Sequence, residues 1–401
     1  MFSVIRSNQR KSAALIVVLG ALLAAVGYAF GVLVDPSLGL MGVAVALVIW
    51  LVLLLVSLAG GEAMLMAQAG GREIQKKDAP QLFNIVEEMQ LAAGMAVMPK
   101  VFLIDSPVPN AFAVGRNERR GAVGVTTGLM ARLNRDELQG VMAHEIAHIK
   151  NRDTMFMTIA GTTLGAVIML ADLFVRGLRF SAGGSRRRSS GKNGQGAAVM
   201  LLLALVVAIV APLLAQLLYF ACSRRREYLA DASAAQFTRF PDGLASALEK
   251  IAGGQKPDAQ PSRVLAPMYI VSPHAARGRS AGIMSTHPPT ADRIRVLRGM
   301  GGGASLRAYE AAYQQTHGGK GVMGAMALAA PEQAAREPTA AKDEAGVAAG
   351  WRAARGVLHD TDGERKIDCA CGVRLRVPPA WQGAPLRCPR CGHEHQVAAT
   401  A

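Results

Sequence analysis

Two histidines and a glutamate occur within the stretch NRDELQGVMAHEIAHIKNRD, residues 134–153. Asn134 and Glu137 have the spacing of a capping box, which predicts that a helix begins here. On that helix His144 and His148 project from one face a turn apart, which suits two ligands of a single tetrahedral zinc. Zinc lowers the pKa of water from about 15.7 to about 7, and Glu145 is placed to take the proton. The alternative is a surface helix with two solvated histidines.

A catalytic zinc needs a third protein ligand and one open position. The best candidate is Glu227 in SRRREYLADASAA, where Glu227 and Asp231 are again one turn apart on a predicted helix. Glu227 would complete a set of two histidines and one glutamate. Asp231 would accept the second ring N–H of a ligand histidine and so fix its orientation. The other interpretation is that both carboxylates only neutralise the arginines at 224–226.

Two further segments suit the handling of a peptide substrate. Asn110, Ala111 and Phe112 begin the alternating apolar stretch NAFAVG, which is predicted to be a strand whose edge can hold an extended peptide by main-chain hydrogen bonds. His287 precedes two prolines and is a candidate donor to the oxyanion of a tetrahedral intermediate. A core strand without substrate contact and a purely structural turn are the alternatives, and both stay open.

Long apolar segments surround these residues. The chain has 401 residues, of which 51% are hydrophobic and 18% are charged, and this favours a mainly helical membrane protein. Residues 13–34 and 41–59 are each long enough to cross a hydrocarbon core of about 30 Å, and they form a predicted hairpin anchor. Two further runs, 155–175 and 197–221, separate the two histidines from Glu227, so they cross as a complete hairpin or not at all.

The distribution of basic residues bears on orientation. Arg6, Arg10 and Lys11 precede the first apolar segment, which places the N-terminus and the active site in the cytoplasm. The loop 176–196 contains six basic residues and predicts the opposite for a fully spanning second hairpin, a conflict that a shallow or re-entrant hairpin would remove. We assign the net charge of +15 to contact with anionic lipid and expect no nucleic-acid partner, since no basic face repeats along a recognition helix.

Four of the five cysteines lie near the C-terminus. Cys369 and Cys371 form a CxC pair and Cys388 and Cys391 form a CxxC pair, a pattern typical of a small zinc ribbon in which the metal replaces a hydrophobic core. Two disulfides are the alternative if this tail lies outside the cytoplasm. Residues 318–364, rich in Ala, Gly, Glu and Gln, are predicted to be a flexible linker before the ribbon.

The stretches NAFAVG, ELQGVMAHEIAHIKNRD, SRRREYLADASAA and STHPPTADRI together resemble the HtpX-type membrane metalloproteases, over about residues 1–300. The resemblance implies a gluzincin, related to the CAAX prenyl proteases, with zinc on His144, His148 and Glu227 and with Glu145 as general base. It also implies a site that faces the cytoplasm from the bacterial inner membrane and a role in clearing damaged or misfolded membrane proteins.

We therefore predict a mainly α protein with integral membrane helices, a zincin-like α+β catalytic domain that contains a small sheet, and a small C-terminal zinc ribbon. Its predicted cofactors are one catalytic and one structural Zn²⁺, and its predicted partners are protein substrates, membrane proteins among them, and the lipid bilayer. The alternative function is a catalytically inactive membrane scaffold that recruits partners through the ribbon. The predicted units are a transmembrane hairpin 1–61, a first catalytic half 62–153, a second apolar hairpin 154–222, a second catalytic half 223–317, the linker 318–364 and the ribbon 365–398.

Overall fold

The computed structural model describes residues 2–163, 224–253, 268–271, 288–324, 328–329, 331–339, 365–377 and 385–396. Within these ranges the protein is mainly helical, with one four-stranded sheet and two small β-hairpins. His287 and most of the two apolar runs predicted at 155–175 and 197–221 lie outside the described residues.

The N-terminal part is a pair of long helices, α1 (Phe2–Val34) and α2 (Gly39–Gln68). Among the described helices, these two are long and apolar enough to cross a membrane, over Ser12–Ala29 and Pro36–Gln68. Gly27 and Gly42 lie where the helices meet, and a side chain at either position would overlap the backbone of the other. Such small residues let two apolar helices approach closely, which favours an antiparallel hairpin.

Helix α2 is kinked at Gly60, whose φ of −162° and ψ of 29° are not helical. The Arg120 guanidinium donates to the carbonyl oxygens of Leu58 and Ala59 immediately before the kink. Beyond the kink, Gly61 packs against Thr158 and Thr162. The end of α2 is thus held by residues from two later parts of the chain.

The sheet has the order β1-β2-β4-β3, with β2 and β4 parallel and the other pairs antiparallel. Its strands are β1 (Gly71–Glu73), β2 (Lys100–Ile104), β3 (Ala111–Gly115) and β4 (Gly121–Thr126). Strand β3 is an edge strand and is buried at every position, because both faces of the sheet are covered. Phe112 and Val114 lie in a hydrophobic core that also contains residues from the end of α2. Ala111 and Ala113 point to the other face of the sheet and lie in the main core with the helices.

The described residues form eight further helices. They are α3 (Pro80–Ala92), α4 (Thr127–Met130), α5 (Arg135–Lys150), α6 over residues 154–163, α7 (Arg224–Thr238), α8 (Pro241–Gly253), α9 (Thr290–Arg298) and α10 (Leu306–Thr316). Helix α5 lies at the centre of this group and packs against α3, α7, α8 and β3. Its position lets side chains from several elements converge on one of its faces.

The start of α5 is confirmed as a capping box. The Asn134 side chain accepts from the main-chain N–H of Glu137 at 2.9 Å, and the Glu137 carboxylate accepts from the N–H of Asn134 at 2.8 Å. One turn later, Gly140 lies so close to the backbone of Leu244 in α8 that a Cβ atom would not fit. A glycine is therefore needed where these two helices cross.

Residues 331–339, which fall in the predicted linker, contact helices α5 and α7. Arg336 donates to Asp136 at 2.6 Å and to Gln139 at 2.8 Å, both in the first turns of α5. The main-chain N–H of Thr339 donates to the second oxygen of Asp136 at 2.8 Å. The described residues 331–339 of the predicted linker 318–364 are therefore packed against α5.

The C-terminal module contains two antiparallel hairpins. The first joins β5 (Arg365–Asp368) to β6 (Arg374–Val377), and the second joins β7 (Leu386–Arg387) to β8 (Glu394–His395). Gly372 and Gly392 have φ values of 82° and 73°, which a glycine adopts without strain, and each follows a cysteine in a tight turn.

Candidate metal centre

The two histidines of α5 point their Nε2 atoms at one another. The Nε2 atoms of His144 and His148 are 3.2 Å apart, and the ring planes are almost perpendicular. His144 is completely buried, and the His148 side chain is 16% exposed. The i, i+4 spacing on a helix brings the two nitrogens to the same side.

Glu227 comes from α7 and reaches the same point. One carboxylate oxygen lies 3.6 Å from Nε2 of His148, and the other lies 3.7 Å from Nε2 of His144. Ligands at 2.0–2.1 Å from a tetrahedral metal are about 3.3 Å from one another. The three separations, 3.2, 3.6 and 3.7 Å, are close to that value, so these residues fit a metal ion of zinc's size and preference.

The opposite side of each imidazole meets a carboxylate. Nδ1 of His144 lies 2.9 Å from Asp231, and Nδ1 of His148 lies 3.2 Å from Asp153. A carboxylate on Nδ1 holds the proton there and leaves the Nε2 lone pair for a metal. Asp231 was selected from the sequence, whereas Asp153 was missed. The sequence does contain an indication of Asp153, because this residue ends the NRD turn directly after α5, close to His148 along the chain.

Glu145 is buried beside these ligands. Burial raises its pKa to about 8, and the nearby Glu227 carboxylate adds to the rise, while His148, Arg293 and the main-chain N–H of Ala113 favour the charged form. A bound cation would lower this pKa by direct attraction. The carboxyl group is thus able to exchange a proton near neutral pH, which is what a general base requires.

The two histidines differ in basicity. Burial lowers the pKa of His144 to about 4, and the Arg293 cation also opposes a second proton on this ring. Burial acts the same way on His148, but Asp153 and the other surrounding carboxylates outweigh it and raise the pKa to about 10. Part of the difference comes from Arg293, which lies beside His144, lowers its pKa and binds Asp231 through two hydrogen bonds.

Strand β3 borders the cavity that contains these groups. Ala113 lines the cavity together with His144, Glu145, His148 and Glu227. The predicted substrate residues lie just before it and are buried: the Asn110 side chain donates to the carbonyl of Val271 at 3.1 Å, and Phe112 packs edge-to-face on Tyr269.

Both ends of β3 are engaged. The Ala111 carbonyl accepts from the N–H of Ile270 at 3.1 Å. At the other end, Thr158 and Thr154 of α6 bind the main-chain N–H and carbonyl of Gly115. Ala113, which lies between these two contacts, is the β3 residue that lines the cavity.

Arg293 is a second residue for which the sequence predicts no role. It is fully buried on α9 and binds both oxygens of Asp231, at 2.8 and 2.7 Å. In the segment THPPTADRI, the sequence predicts a functional role for His287, which lies outside the described residues, and none for this arginine. A lone arginine near the start of a helix carries no local signal that it will be buried.

The four C-terminal cysteines form a second group. Cys369 and Cys391 have sulfur atoms 3.5 Å apart, as do Cys371 and Cys388, and all four sulfurs lie within 4.8 Å of one another. An S–S bond is about 2.05 Å long, so these are free thiols around a common centre. Main-chain N–H groups of Cys391 and Arg390 lower the pKa of Cys388 to about 6, which favours the thiolate that binds metal.

Comparison with known proteins bears on the first group. The model of peptidase family M48 matches residues 76–301. The protease HtpX homolog of Dictyoglomus thermophilum is 42% identical over 300 residues, which cover 75% of this chain and 95% of that protein. The HtpX homologs of Listeria innocua and Lactobacillus acidophilus are 42% and 39% identical over 305 and 302 residues, in each case 75% of this chain and 100% of the relative. No solved structure matches the chain significantly.

Proposed function

The chain belongs to peptidase family M48, and from this premise we propose that His144, His148 and Glu227 hold its catalytic zinc and that Glu145 is its general base. The protein is a membrane zinc metalloprotease, which hydrolyses peptide bonds of protein substrates. The observation that carries the assignment is the convergence of three ligand residues, whose nearest ligand atoms are 3.2 to 3.7 Å apart, with a carboxylate behind each imidazole. We propose a zincin-like fold for the catalytic domain that contains these ligands.

Each residue of the site has its own role in the proposed hydrolysis of the peptide bond. Zinc, when bound, supplies a Lewis acid that lowers the pKa of water and polarises the scissile carbonyl. Glu145 accepts the proton of the attacking water and delivers it to the leaving nitrogen, and the N–H of Ala113 helps to hold its charged form. Asp231 and Asp153 keep the two imidazoles oriented. His287 is retained as a candidate donor to the oxyanion.

We propose that substrate strands bind next to β3, with Ala113 as the main point of contact. Main-chain pairing with an edge strand does not depend on the substrate's side chains, so it suits an enzyme that acts on damaged or misfolded proteins of varied sequence. Asn110, Ala111 and Phe112 then set the position of the strand, because their side chains and the Ala111 carbonyl are already engaged.

Membrane proteins are the proposed substrate class. Thr154 and Met157 of α6 line the cavity, and one turn further Thr158 and Thr162 pack on α2 at Gly61. The cavity therefore lies close to the end of a candidate membrane span, where a segment released from the bilayer would first arrive. A membrane-anchored substrate should be cleaved faster than the same sequence without its anchor.

We propose that the active site faces the cytoplasm from the bacterial inner membrane. Arg6, Arg10 and Lys11 precede the apolar part of α1, and the positive-inside rule keeps them in the cytoplasm. Because α1 and α2 form a hairpin, the residues after α2 return to the side from which the chain started. The second apolar hairpin, 154–222, must also return the chain to that side for Glu227 to meet the histidines.

We further propose that the module 365–398 is a zinc ribbon with a structural metal on Cys369, Cys371, Cys388 and Cys391. Its four-sulfur set leaves no open position for chemistry, so a binding role fits better. An inactive scaffold that recruits partners through this ribbon is not favoured, since Glu145 is present and lies beside the ligand cluster.

Replacement of Glu145 by Gln tests the assignment. The purified variant is expected to keep its zinc but to lose proteolysis of casein and of a membrane-anchored substrate by about 10²- to 10⁴-fold. Glu87→Gln, an exposed carboxylate on α3, is the matched control and should retain activity. Undiminished cleavage by Glu145→Gln would exclude this residue as the base.

A further inference from the structure

Arg293 lies behind the ligand cluster with its whole side chain buried. Nε and Nη2 donate to the two oxygens of Asp231, at 2.8 and 2.7 Å. Nη2 also lies 3.5 Å from both ring nitrogens of His144, and Nη1 lies 4.0 Å from an oxygen of Glu227. One guanidinium thus touches or borders two of the three residues that would hold the metal.

The same side chain reaches the substrate side of the cavity. Nη1 of Arg293 donates to the carbonyl oxygen of Ile270 at 2.8 Å. The N–H of Ile270 donates in turn to the carbonyl of Ala111 on the edge strand β3. A continuous chain of hydrogen bonds therefore runs from the carboxylate behind His144, through Arg293 and Ile270, to the strand that borders the cavity.

We propose that Arg293 is a positioning residue that aligns the His144–Asp231 pair with strand β3, so that the metal ligands and the substrate-binding edge keep a fixed relation. The inference rests on the proposed function, because it takes His144 to be a zinc ligand and β3 to be the strand beside which the substrate binds. Arg293 acts through Asp231 and Ile270 and has no contact with the reacting atoms in this assignment.

The chemistry of the side chain explains why an arginine is used. Its planar fork presents several N–H groups in fixed directions, so it can bind both oxygens of Asp231 and the Ile270 carbonyl at once. A lysine would keep the charge but offers one ammonium group, which cannot occupy all three positions. A buried aspartate left without its partner is strongly unfavourable, so Asp231 would move or lose its hold on His144.

Arg293→Lys, made in the full-length protein, is the test, with Arg295→Lys as the matched control. Arg295 is on the same helix, but it is 62% exposed and pairs only locally with Asp292. We expect Arg293→Lys to weaken zinc binding by about 10- to 100-fold in a chelator competition, to shift the visible absorption bands of the Co²⁺-substituted protein and to raise KM. Arg295→Lys should leave all three within twofold.

A folded Arg293→Lys protein with unchanged Co²⁺ bands, zinc affinity and KM would overturn the proposal. If that variant does not fold, the neutral pair Arg293→Gln with Asp231→Asn removes both buried charges together and is measured in the same way. An unchanged Co²⁺ spectrum in this pair also counts against the proposal. Failure of both proteins to fold, while Arg295→Lys folds, would assign Arg293 to the fold and equally overturn it.

The proposed function can fail separately. Glu227→Ala removes a proposed ligand but keeps Arg293 and its hydrogen-bond partners Asp231 and Ile270, and it should abolish the Co²⁺ bands of the site. If Glu227→Ala leaves these bands intact, the ligand set is wrong whatever Arg293 does. If Glu227→Ala abolishes them and Arg293→Lys leaves the Co²⁺ bands, the zinc affinity and KM unchanged, only the positioning role is wrong.

Discussion

Nδ1 of His148 lies 3.2 Å from Oδ2 of Asp153, on the side of the ring away from the ligand cluster. Helix α5 ends at Lys150, and the chain turns back through Arg152, whose φ of 54° is rare for a residue with a side chain. The turn brings the Asp153 carboxylate under the imidazole of its own helix. The ligand histidine that is more exposed is therefore oriented by a local carboxylate.

Asp153→Asn should lower zinc affinity by about 10- to 100-fold, because the amide holds Nδ1 less firmly than a carboxylate does. Chelator competition on the purified protein measures the effect. Asp242→Asn, an exposed position at the start of α8, serves as the control. Equal zinc affinity of the Asp153 variant and the wild type would show that this contact does not orient the ligand.

Zinc binding should depend on pH. In the metal-free site the carboxylates around His148 outweigh the effect of burial and raise its pKa to about 10, so the ring carries a proton at neutral pH. Zinc must displace that proton, and the apparent affinity therefore rises with pH, by about tenfold per pH unit for one proton released. Calorimetry in buffers of different ionisation enthalpy counts the protons. An affinity that stays constant from about pH 6 to about pH 8 would contradict the prediction.

The segment 331–339 should stabilise the catalytic unit. Arg336 binds Asp136 and Gln139, and its guanidinium also lies over the ring of Phe240 at 5.0 Å. We expect Arg336→Ala to lower the free energy of unfolding by about 1–3 kcal/mol, since partly buried charged hydrogen bonds are lost. Urea unfolding of the detergent-solubilised protein measures this.

Arg307→Ala is the control for that experiment. Arg307 pairs with Glu332 at the surface, where both side chains are more than half exposed, so its removal should cost less than about 1 kcal/mol.

Truncation tests the same segment: a chain ending at residue 339 should be more stable than one ending at residue 317. Equal stability of the two truncated proteins would argue that the segment is not part of the catalytic unit.

The cysteine module should bind its own metal. Cys388→Ser is expected to reduce the zinc content from two ions per chain to one while peptidase activity remains, because the two ligand groups share no residue. Elemental analysis together with the casein assay checks both quantities. Cys222, the fifth cysteine of the chain, is not part of this module, so Cys222→Ser is the matched control and should keep two ions. A variant of Cys388 that still holds two would remove the module from the list of metal sites.

The repeat of the α-helix allowed the sequence to predict the local part of the site. Residues four apart on a helix share a face, so the side chains of His144 and His148, and those of Glu227 and Asp231, were expected to lie together. The same local rules predicted the capping box of Asn134 and Glu137, which is confirmed. For the four cysteines a different local rule applied, because CxC and CxxC spacing lets a tight turn bring both thiols of a pair to one metal.

Contacts between distant parts of the chain were decided only by the tertiary structure. No pattern in the sequence indicated that Arg293 would be buried against Asp231, that Ile270 would bind the edge of β3, or that Arg336 would reach the start of α5. Local spacing follows from the geometry of one helix, whereas these contacts depend on how several helices pack. The sequence alone therefore selected the groups that we propose do the chemistry, and the packing of α5, α7 and α9 determined which residues lie beside them.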